Sequence, residues 1–154
     1  MKEKVLQVLV VEDNAGDVRL LREMFKGEKQ GSFELTHLLR MSEAEVHLAK
    51  GGVDITLLDM GLPDGHGLET VRRAHAAAPN VPLIILTGLD DEALAAEAMT
   101  QGAQDYMIKG QIESRALPRA LRHAIERHRM QTETDLIRTH QMEFKDEFLS
   151  HVSH

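Results

Sequence analysis

The chain lacks the residues that several kinds of site and fold require. None of its 154 residues is cysteine, which excludes disulfides and thiolate metal ligands and fits a reducing compartment. Aromatic residues make up only 3% and tryptophan is absent, so the core that a 42% hydrophobic content predicts must be aliphatic. No apolar run approaches the roughly 20 residues of a membrane span. The net charge of −7 argues against nucleic-acid binding, which needs a broad basic face.

The amino terminus carries no targeting pattern. The polar start Met1-Lys2-Glu3-Lys4 precedes an apolar run that contains Gln7, and this run is too short for a secretion signal. We therefore expect a cytoplasmic protein. The length suits one domain and an appendage.

Short apolar runs alternate with helical patterns between residue 4 and about residue 128. The runs have the length of buried strands: Val5–Val11, Phe33–Leu39, Ile55–Leu58, Val81–Leu86 and Ala103–Ile108. Helical spacing follows each run, and Ser42 with Glu45 matches a capping box at the start of the second helix. The last helix is predicted to begin near Pro118. Five consecutive βα units predict a parallel sheet with helices on both faces.

Polar side chains stand directly after four of these runs. They are Glu12 with Asp13, Asp59, Thr87 and Lys109. Because parallel strands end at one edge of a sheet, where α/β folds bind ligands, these groups form one predicted site. Three adjacent carboxylates repel each other unless a proton or cation intervenes, and ligand sets made only of oxygen suit Mg²⁺. A carboxylate beside Mg²⁺ and an ammonium can attack phosphorus and form an acyl phosphate.

The segments around these residues resemble the receiver domain of two-component response regulators, over residues 5 to about 128. The resemblance is carried by Val10–Asn14, Leu57–Gly65, Leu86–Gly88 and Tyr106–Lys109. It implies a flavodoxin-like (CheY-like), doubly wound, five-stranded parallel sheet in the order 2-1-3-4-5. A long C-terminal helical extension is expected after that sheet.

The resemblance also implies roles for individual residues. Asp59 is the expected phosphorylated residue, and Thr87 and Lys109 are expected to act with it in catalysis. Thr87 and Tyr106 form the implied switch pair. The donor would be a phosphohistidine on a histidine kinase or a phosphotransfer protein.

The implied magnesium site uses oxygen ligands alone. Asp13 and Asp59 would bind Mg²⁺ directly, Glu12 mainly through water, and the Gly61 carbonyl would complete the protein ligands. A haloacid-dehalogenase-type phosphatase would need a second Asp two residues after the nucleophile, and Gly61 stands there.

Two departures from the family pattern affect these expectations. Gly110 follows Lys109 where the family often has proline, so this turn must form in another way. Gly61 and Leu89, two residues after Asp59 and Thr87, lack the polar side chains that tune loss of the phosphoryl group. The lifetime of the phosphorylated state therefore stays open.

The C-terminal segment 129–154 is interpreted as a helical connector that dimerises the chain. No glycine or proline follows Pro118, and an uninterrupted helix to the end would extend about 55 Å. An apolar stripe fades through His128–Asp135 and returns at Leu136/Ile137, Phe144, Phe148 and Val152, a pattern typical of helices that pair. A solvated, frayed tail is the alternative.

Residues 145–154 resemble the opening of the dimerisation and phosphoacceptor helix of histidine kinases. That resemblance makes His154 a second candidate phosphorylation site. It implies a hybrid histidine kinase whose receiver domain is residues 4–128. The chain contains no ATP-binding kinase domain, so its status as an enzyme is left open. A metal site at His151 and His154 lacks supporting acidic or cysteine ligands.

The predicted function is that of a phosphoryl-accepting switch with Mg²⁺ as cofactor, acting on a C-terminal output. Two alternatives are a free-standing relay receiver and a dimerisation module that no longer takes phosphate. The retained Asp13, Asp59, Thr87 and Lys109 argue against the last of these.

Overall fold

A computed structural model describes residues 5–29, 31–88, 92–113 and 115–152. In these residues the strands are β1 Leu6–Val11, β2 Phe33–Leu38, β3 Ile55–Asp59, β4 Gly61–Leu62, β5 Gly65–His66, β6 Leu83–Thr87 and β7 Asp105–Ile108. The helices are α1 Ala15–Met24, α2 Met41–Ala49, α3 Leu68–Ala77, α4 Glu92–Thr100 and α5 Ala116–Val152.

Five strands form one parallel sheet in the order β2-β1-β3-β6-β7. Counted along the chain without the short strands, this is the predicted order 2-1-3-4-5, so the flavodoxin-like fold is confirmed. The short strands β4 and β5 form a separate antiparallel pair that the sequence did not predict. In the main sheet Asp59 pairs with Leu86, and Thr87 pairs with Ile108. This register brings the carboxyl-terminal ends of the central strands together at one edge of the sheet, the edge that runs across the strand ends.

The core has two layers because side chains alternate between the faces of the sheet. On one face Leu58 and Ile85 pack with buried residues of α2, α3 and α4. On the other face Leu57, Ile84 and Leu86 pack with buried residues of α1 and α5. Both layers are dominated by Leu, Ile, Val, Met and Ala, as the shortage of aromatic residues predicts.

The starts of α1 and α2 are capped in different ways. Asn14 Oδ1 accepts a hydrogen bond from the Asp17 N–H at 3.0 Å, so α1 has a local cap. The capping box predicted at Ser42 is wrong, because α2 begins one residue earlier and Ser42 already lies in its first turn. Instead the Asp64 carboxylate accepts hydrogen bonds from the N–H groups of Met41 at 2.7 Å and Ser42 at 2.9 Å.

Helix α5 spans 37 residues and forms the predicted C-terminal extension. It begins at Ala116, which leaves Pro118 in the first turn, where its missing N–H costs little. Its first part is fixed to the sheet through buried Leu117 and Leu121, whereas Met130 and Ile137 are each 58% exposed. The side chains predicted to continue the stripe at residues 144, 148 and 152 lie outside the described side chains. In the described part of the chain, no helix combines the length and apolarity of a membrane span.

Candidate functional site

The polar residues predicted at strand ends are brought to one edge of the sheet. Asp59 is the last residue of β3 and Thr87 the last of β6, while Glu12 and Lys109 directly follow β1 and β7. Glu12, Asp59 and Thr87 are buried, and Asp13 is exposed. The prediction of a single location is therefore confirmed, while the roles of the residues stay predictions.

Three carboxylates form a compact cluster at this edge. One oxygen from each of Glu12, Asp13 and Asp59 lies within 4.8 Å of the others. Further contacts hold Glu12 in place. Its Oε1 accepts a hydrogen bond from the Asn14 N–H at 3.1 Å. The His37 imidazole Nε2 lies 2.6 Å from the Glu12 carbonyl oxygen. Glu12 is thus held at both its side chain and its backbone.

Lys109 reaches into this acidic cluster. Its Nζ lies 2.6 Å from Glu12 Oε2, 3.0 Å from Asp17 Oδ2 and 3.1 Å from Asp59 Oδ1. The Lys109 N–H donates to the Thr87 carbonyl oxygen at 2.7 Å, which fixes the lysine backbone beside the end of β6. One ammonium therefore bridges carboxylates from β3, from α1 and from the segment after β1.

Burial and neighbouring charges shift the pKa values of Glu12 and Lys109. Burial, together with the Asp59 charge, raises the pKa of Glu12 from 4.5 to about 7, against the opposing effect of Lys109. Burial by itself would lower the pKa of Lys109, but hydrogen bonds to Glu12, Asp17 and Asp59 raise it above its ordinary value. The site therefore holds a charged lysine beside a carboxyl that binds its proton more tightly than an exposed glutamate does.

The residues present fit a divalent cation and a phosphoryl group. The clustered donors are all carboxylate oxygens, which are the ligands that Mg²⁺ prefers in proteins. The Thr87 hydroxyl is buried and has no hydrogen-bond partner among the described residues. A buried hydroxyl without a partner is costly, and a phosphoryl oxygen would give it one.

The turn after β7 forms without proline. The Gln111 N–H donates to the Ile108 carbonyl oxygen at 3.0 Å, which closes a four-residue turn. Gly110 takes the third position of this turn with φ of +86°, a conformation that glycine adopts without strain. No cis peptide bond occurs among the described residues. The expectation that Gly110 replaces the family's proline turn is thereby met.

The remaining predicted residues are only partly connected to the site. Tyr106 is half-buried and packs against the core layer of α2, α3 and α4. Gly61 begins β4 two residues after Asp59. Leu89 and His154 lie outside the described residues.

Asp17 and His37 contact the site although the sequence did not single them out. Asp17 stands in the first turn of a helix whose start at Asn14 was readable, so its closeness to the strand edge could have been inferred. His37 is near the end of β2, the strand that pairs with β1. No polar pattern around His37 marked it as part of the site.

Known proteins with the same pattern are numerous. A family model described as the response regulator receiver domain matches residues 8–122. The swarming motility regulation protein RssB of Serratia marcescens is 35% identical over 104 residues, which are 68% of this chain and 46% of that protein. The KDP operon transcriptional regulatory protein KdpE of Escherichia coli strain K12 is 34% identical over 132 residues, 83% of this chain and 55% of that protein. This chain spans about half the length of these two relatives.

Solved structures share the fold. The signal receiver domain of an HD domain-containing protein from Pseudomonas fluorescens Pf-5 superposes with a TM-score of 0.74 at 25% identity, covering 86% of this chain and 96% of that one. The receiver domain of the sensor histidine kinase PA1611 from Pseudomonas aeruginosa PAO1, with a magnesium ion in its active-site cleft, gives 0.67 at 23% identity, covering 79% and 98%. With residues 8–122 matched, this chain belongs to the response regulator receiver domain family, the phosphoryl-accepting domains of two-component signalling.

Proposed function

We propose that Asp59 is the residue that accepts the phosphoryl group, in a reaction that requires Mg²⁺. The observation that carries this proposal is the position of Asp59 at a strand end, between two further carboxylates and the Lys109 ammonium. Asp17 also contacts Lys109, but it lies outside the carboxylate cluster. Family membership supports the same assignment.

The transfer itself needs one nucleophile and one leaving group. An Asp59 carboxylate oxygen attacks the phosphorus of a phosphohistidine, and a new P–O bond forms as the P–N bond breaks. The electron pair of the broken bond stays on the donor imidazole, which takes up a proton. Lys109 lies close enough to Asp59 to pair with a phosphoryl oxygen, and the Thr87 hydroxyl can donate to another.

Glu12, Asp13 and Asp59, with the Gly61 carbonyl, would hold Mg²⁺. When bound, the ion would neutralise both the carboxylate cluster and the charge on the transferred phosphoryl group. The oxygen-only donor set supports this choice of metal. The magnesium ion in the active-site cleft of the PA1611 receiver domain supports it as well.

Phosphorylation then changes the charge of the edge and the partners of its donors. The modification adds about −1.5 to −2 charges at neutral pH. Thr87 and Lys109 turn toward the new oxygens, and half-buried Tyr106 repacks against the layer that contains α4. The surface around α4 and β7 thereby differs between the two states.

The output is proposed to run through α5 to a histidine kinase core, with α5 pairing in a homodimer. Met130 and Ile137 support pairing, since both are exposed apolar residues and their seven-residue spacing puts them on one helix face. Residues 4–128 would be the receiver and 129–154 the connector, with His154 a second candidate phosphorylation site. The alternative is a relay receiver that works as a monomer. Sedimentation of the full chain with and without Ile137→Lys distinguishes them, because a dimer paired through α5 should dissociate in Ile137→Lys, whereas a relay receiver should be a monomer in both.

Incubation with acetyl phosphate and MgCl₂, followed by intact mass measurement, tests the phosphorylation site. We expect the gain of one phosphoryl group in the unaltered chain and in the control Asp105→Asn, and no gain in Asp59→Asn. Labelling that persists in folded Asp59→Asn would refute the assignment. Labelling that is equally fast in EDTA would refute the requirement for Mg²⁺.

A further inference from the structure

Asp17 is a fourth acidic residue at the sheet edge, and neither the predicted ligand set nor the transfer step uses it. Its Oδ2 accepts a hydrogen bond from Lys109 Nζ at 3.0 Å. The two residues are 92 positions apart, so the contact joins the first turn of α1 to the turn after β7. This contact also lies outside the carboxylate cluster that fits a metal, which consists of Glu12, Asp13 and Asp59.

The place of Asp17 is set by the backbone. Its N–H donates to Asn14 Oδ1 at 3.0 Å, and the Asn14 N–H donates to Glu12 Oε1 at 3.1 Å. The start of α1 is therefore attached to the acidic segment through two short hydrogen bonds. The Asp17 carboxylate, with its side chain 34% exposed, faces Lys109 from a fixed position.

The Lys109 ammonium has three N–H donors and three carboxylate neighbours. Two of these neighbours, Glu12 and Asp59, are also proposed ligands of the cation. The ammonium and a bound cation would therefore compete for the same two carboxylates. Asp17 is the one of the three neighbours that is not a proposed ligand of the cation.

We propose that Asp17 is a positioning residue for Lys109, which holds part of the ammonium's hydrogen bonding on α1 and leaves the Glu12 and Asp59 oxygens available to a divalent cation. This inference rests on the proposed function, because it presupposes the Mg²⁺ site. Without Asp17, Lys109 pairs with Glu12 and Asp59 alone. A cation then has to displace a more strongly held ammonium.

Calorimetric titration of the full chain with MgCl₂ measures this effect without any phosphoryl transfer. We expect Asp17→Asn to weaken Mg²⁺ binding about twofold to fivefold, the range of one partly exposed ion pair. Asp17→Glu, which can still reach Lys109, restores most of the affinity. Glu23→Gln removes the same charge from the far end of α1 and leaves the affinity unchanged.

A loss of affinity could also arise because Asp17 attracts the cation directly, and Lys109→Met separates the two causes. In the Lys109→Met background the proposal predicts no further effect of Asp17→Asn, whereas direct attraction predicts the same loss in both backgrounds. An equal loss in both, or no loss in the unaltered background, overturns the inference.

Two further outcomes show whether a failure concerns the proposed metal site or the role of Asp17. An unaltered chain that does not bind Mg²⁺ at all overturns the proposed metal site together with the inference. If Lys109→Met does not fold, the comparison of Asp17→Glu with Asp17→Asn keeps the inference falsifiable, since an equal loss in both variants contradicts a role through Lys109.

Discussion

Two clusters of charged residues in this molecule are similar in composition but differ in their hydrogen bonding and in the direction of their pKa shifts. Each places one basic side chain in contact with acidic residues that come from separate elements. We call the first the edge cluster, and its members are Lys109, Glu12, Asp17 and Asp59. We call the second the loop cluster, and its members are Arg73, Glu45 and Asp64.

The charged groups of the loop cluster have hydrogen-bond partners. Arg73 donates to Glu45 through Nε at 3.0 Å and through a second guanidinium nitrogen, and to the Asp64 carbonyl oxygen at 3.1 Å. Each Asp64 carboxylate oxygen accepts a backbone N–H from the start of α2. Hydrogen bonding to the Ser42 backbone lowers the pKa of Asp64 below its ordinary value of 3.8. These contacts stabilise charge and join α2 to α3.

The edge cluster is left with an excess of negative charge. One ammonium faces three carboxylates, with the exposed Asp13 as a fourth nearby. Glu12 is fully buried, and its pKa is raised instead of lowered. The comparison indicates that the loop cluster contributes to stability, whereas the edge cluster loses stability at the site where we propose that a cation binds.

Removal of each cluster's basic side chain gives the largest expected difference. Lys109→Met leaves buried Glu12 without its ion-pair partner, so we expect the free energy of unfolding to fall by about 3 kcal/mol in EDTA. Arg73→Met breaks partly exposed contacts and should cost about 1 kcal/mol or less. Urea denaturation followed by far-UV circular dichroism measures both, since the chain has no tryptophan.

Magnesium sharpens this first prediction. A divalent cation can replace the lost positive charge, so Lys109→Met should regain part of its stability in MgCl₂ while Arg73→Met gains no more than the unaltered chain. Equal losses in the two variants, unchanged by Mg²⁺, would remove the distinction between the clusters.

The two clusters should also respond to pH in opposite directions. Folding raises the pKa of Glu12 from 4.5 to about 7, so the folded state holds this proton more tightly than the unfolded chain. Stability therefore falls as pH rises from about 4.5 to about 7 in EDTA, by an amount of order 2–3 kcal/mol. Asp64 has a lowered pKa, so its contribution is present at neutral pH and is lost as pH falls below 3.8.

Single variants separate the contribution of Glu12 to this pH dependence from that of Asp64. The stability difference between the unaltered chain and Glu12→Gln should change between pH 4.5 and 7, and the corresponding difference for Asp64→Asn should change only below pH 4. The subtraction removes the contribution of every titratable group that the substitution leaves unchanged. A difference for Glu12→Gln that is flat with pH would contradict the raised pKa.

The edge cluster was largely readable from the sequence, and the physical reason is the parallel sheet. Once five apolar runs were assigned as parallel strands, the residues after them had to meet at one edge, and Glu12, Asp59, Thr87 and Lys109 do so. The length of α5 was equally readable, because no helix-breaking residue follows Pro118. Strand assignment and helix continuity depend on patterns that repeat over many residues, whereas the order of the strands was implied by the family resemblance.

The contacts that escaped prediction depend on where single side chains reach after packing. Asp64 caps the start of α2 from 23 residues away in the sequence. The capping box predicted at Ser42 does not form, because α2 starts at Met41. Asp17 meets Lys109 across 92 residues. The strands β4 and β5 have two residues each, too few for any periodic signal.

The smallest expected effect tests whether the loop cluster is purely structural. Asp64→Asn keeps one oxygen acceptor for the start of α2 and loses the charge and the second acceptor, so we expect a loss of about 0.5–1 kcal/mol in stability. Glu69→Gln is the matched control, since its carboxylate lies 4.0 Å from Arg73 and is 70% exposed, and it should change stability less. Phosphoryl labelling of Asp59 in Asp64→Asn should match the unaltered chain at a temperature where both are folded. A folded Asp64→Asn with slow labelling would show instead that the loop after Asp59 depends on this cap, and the two clusters would then act as one site.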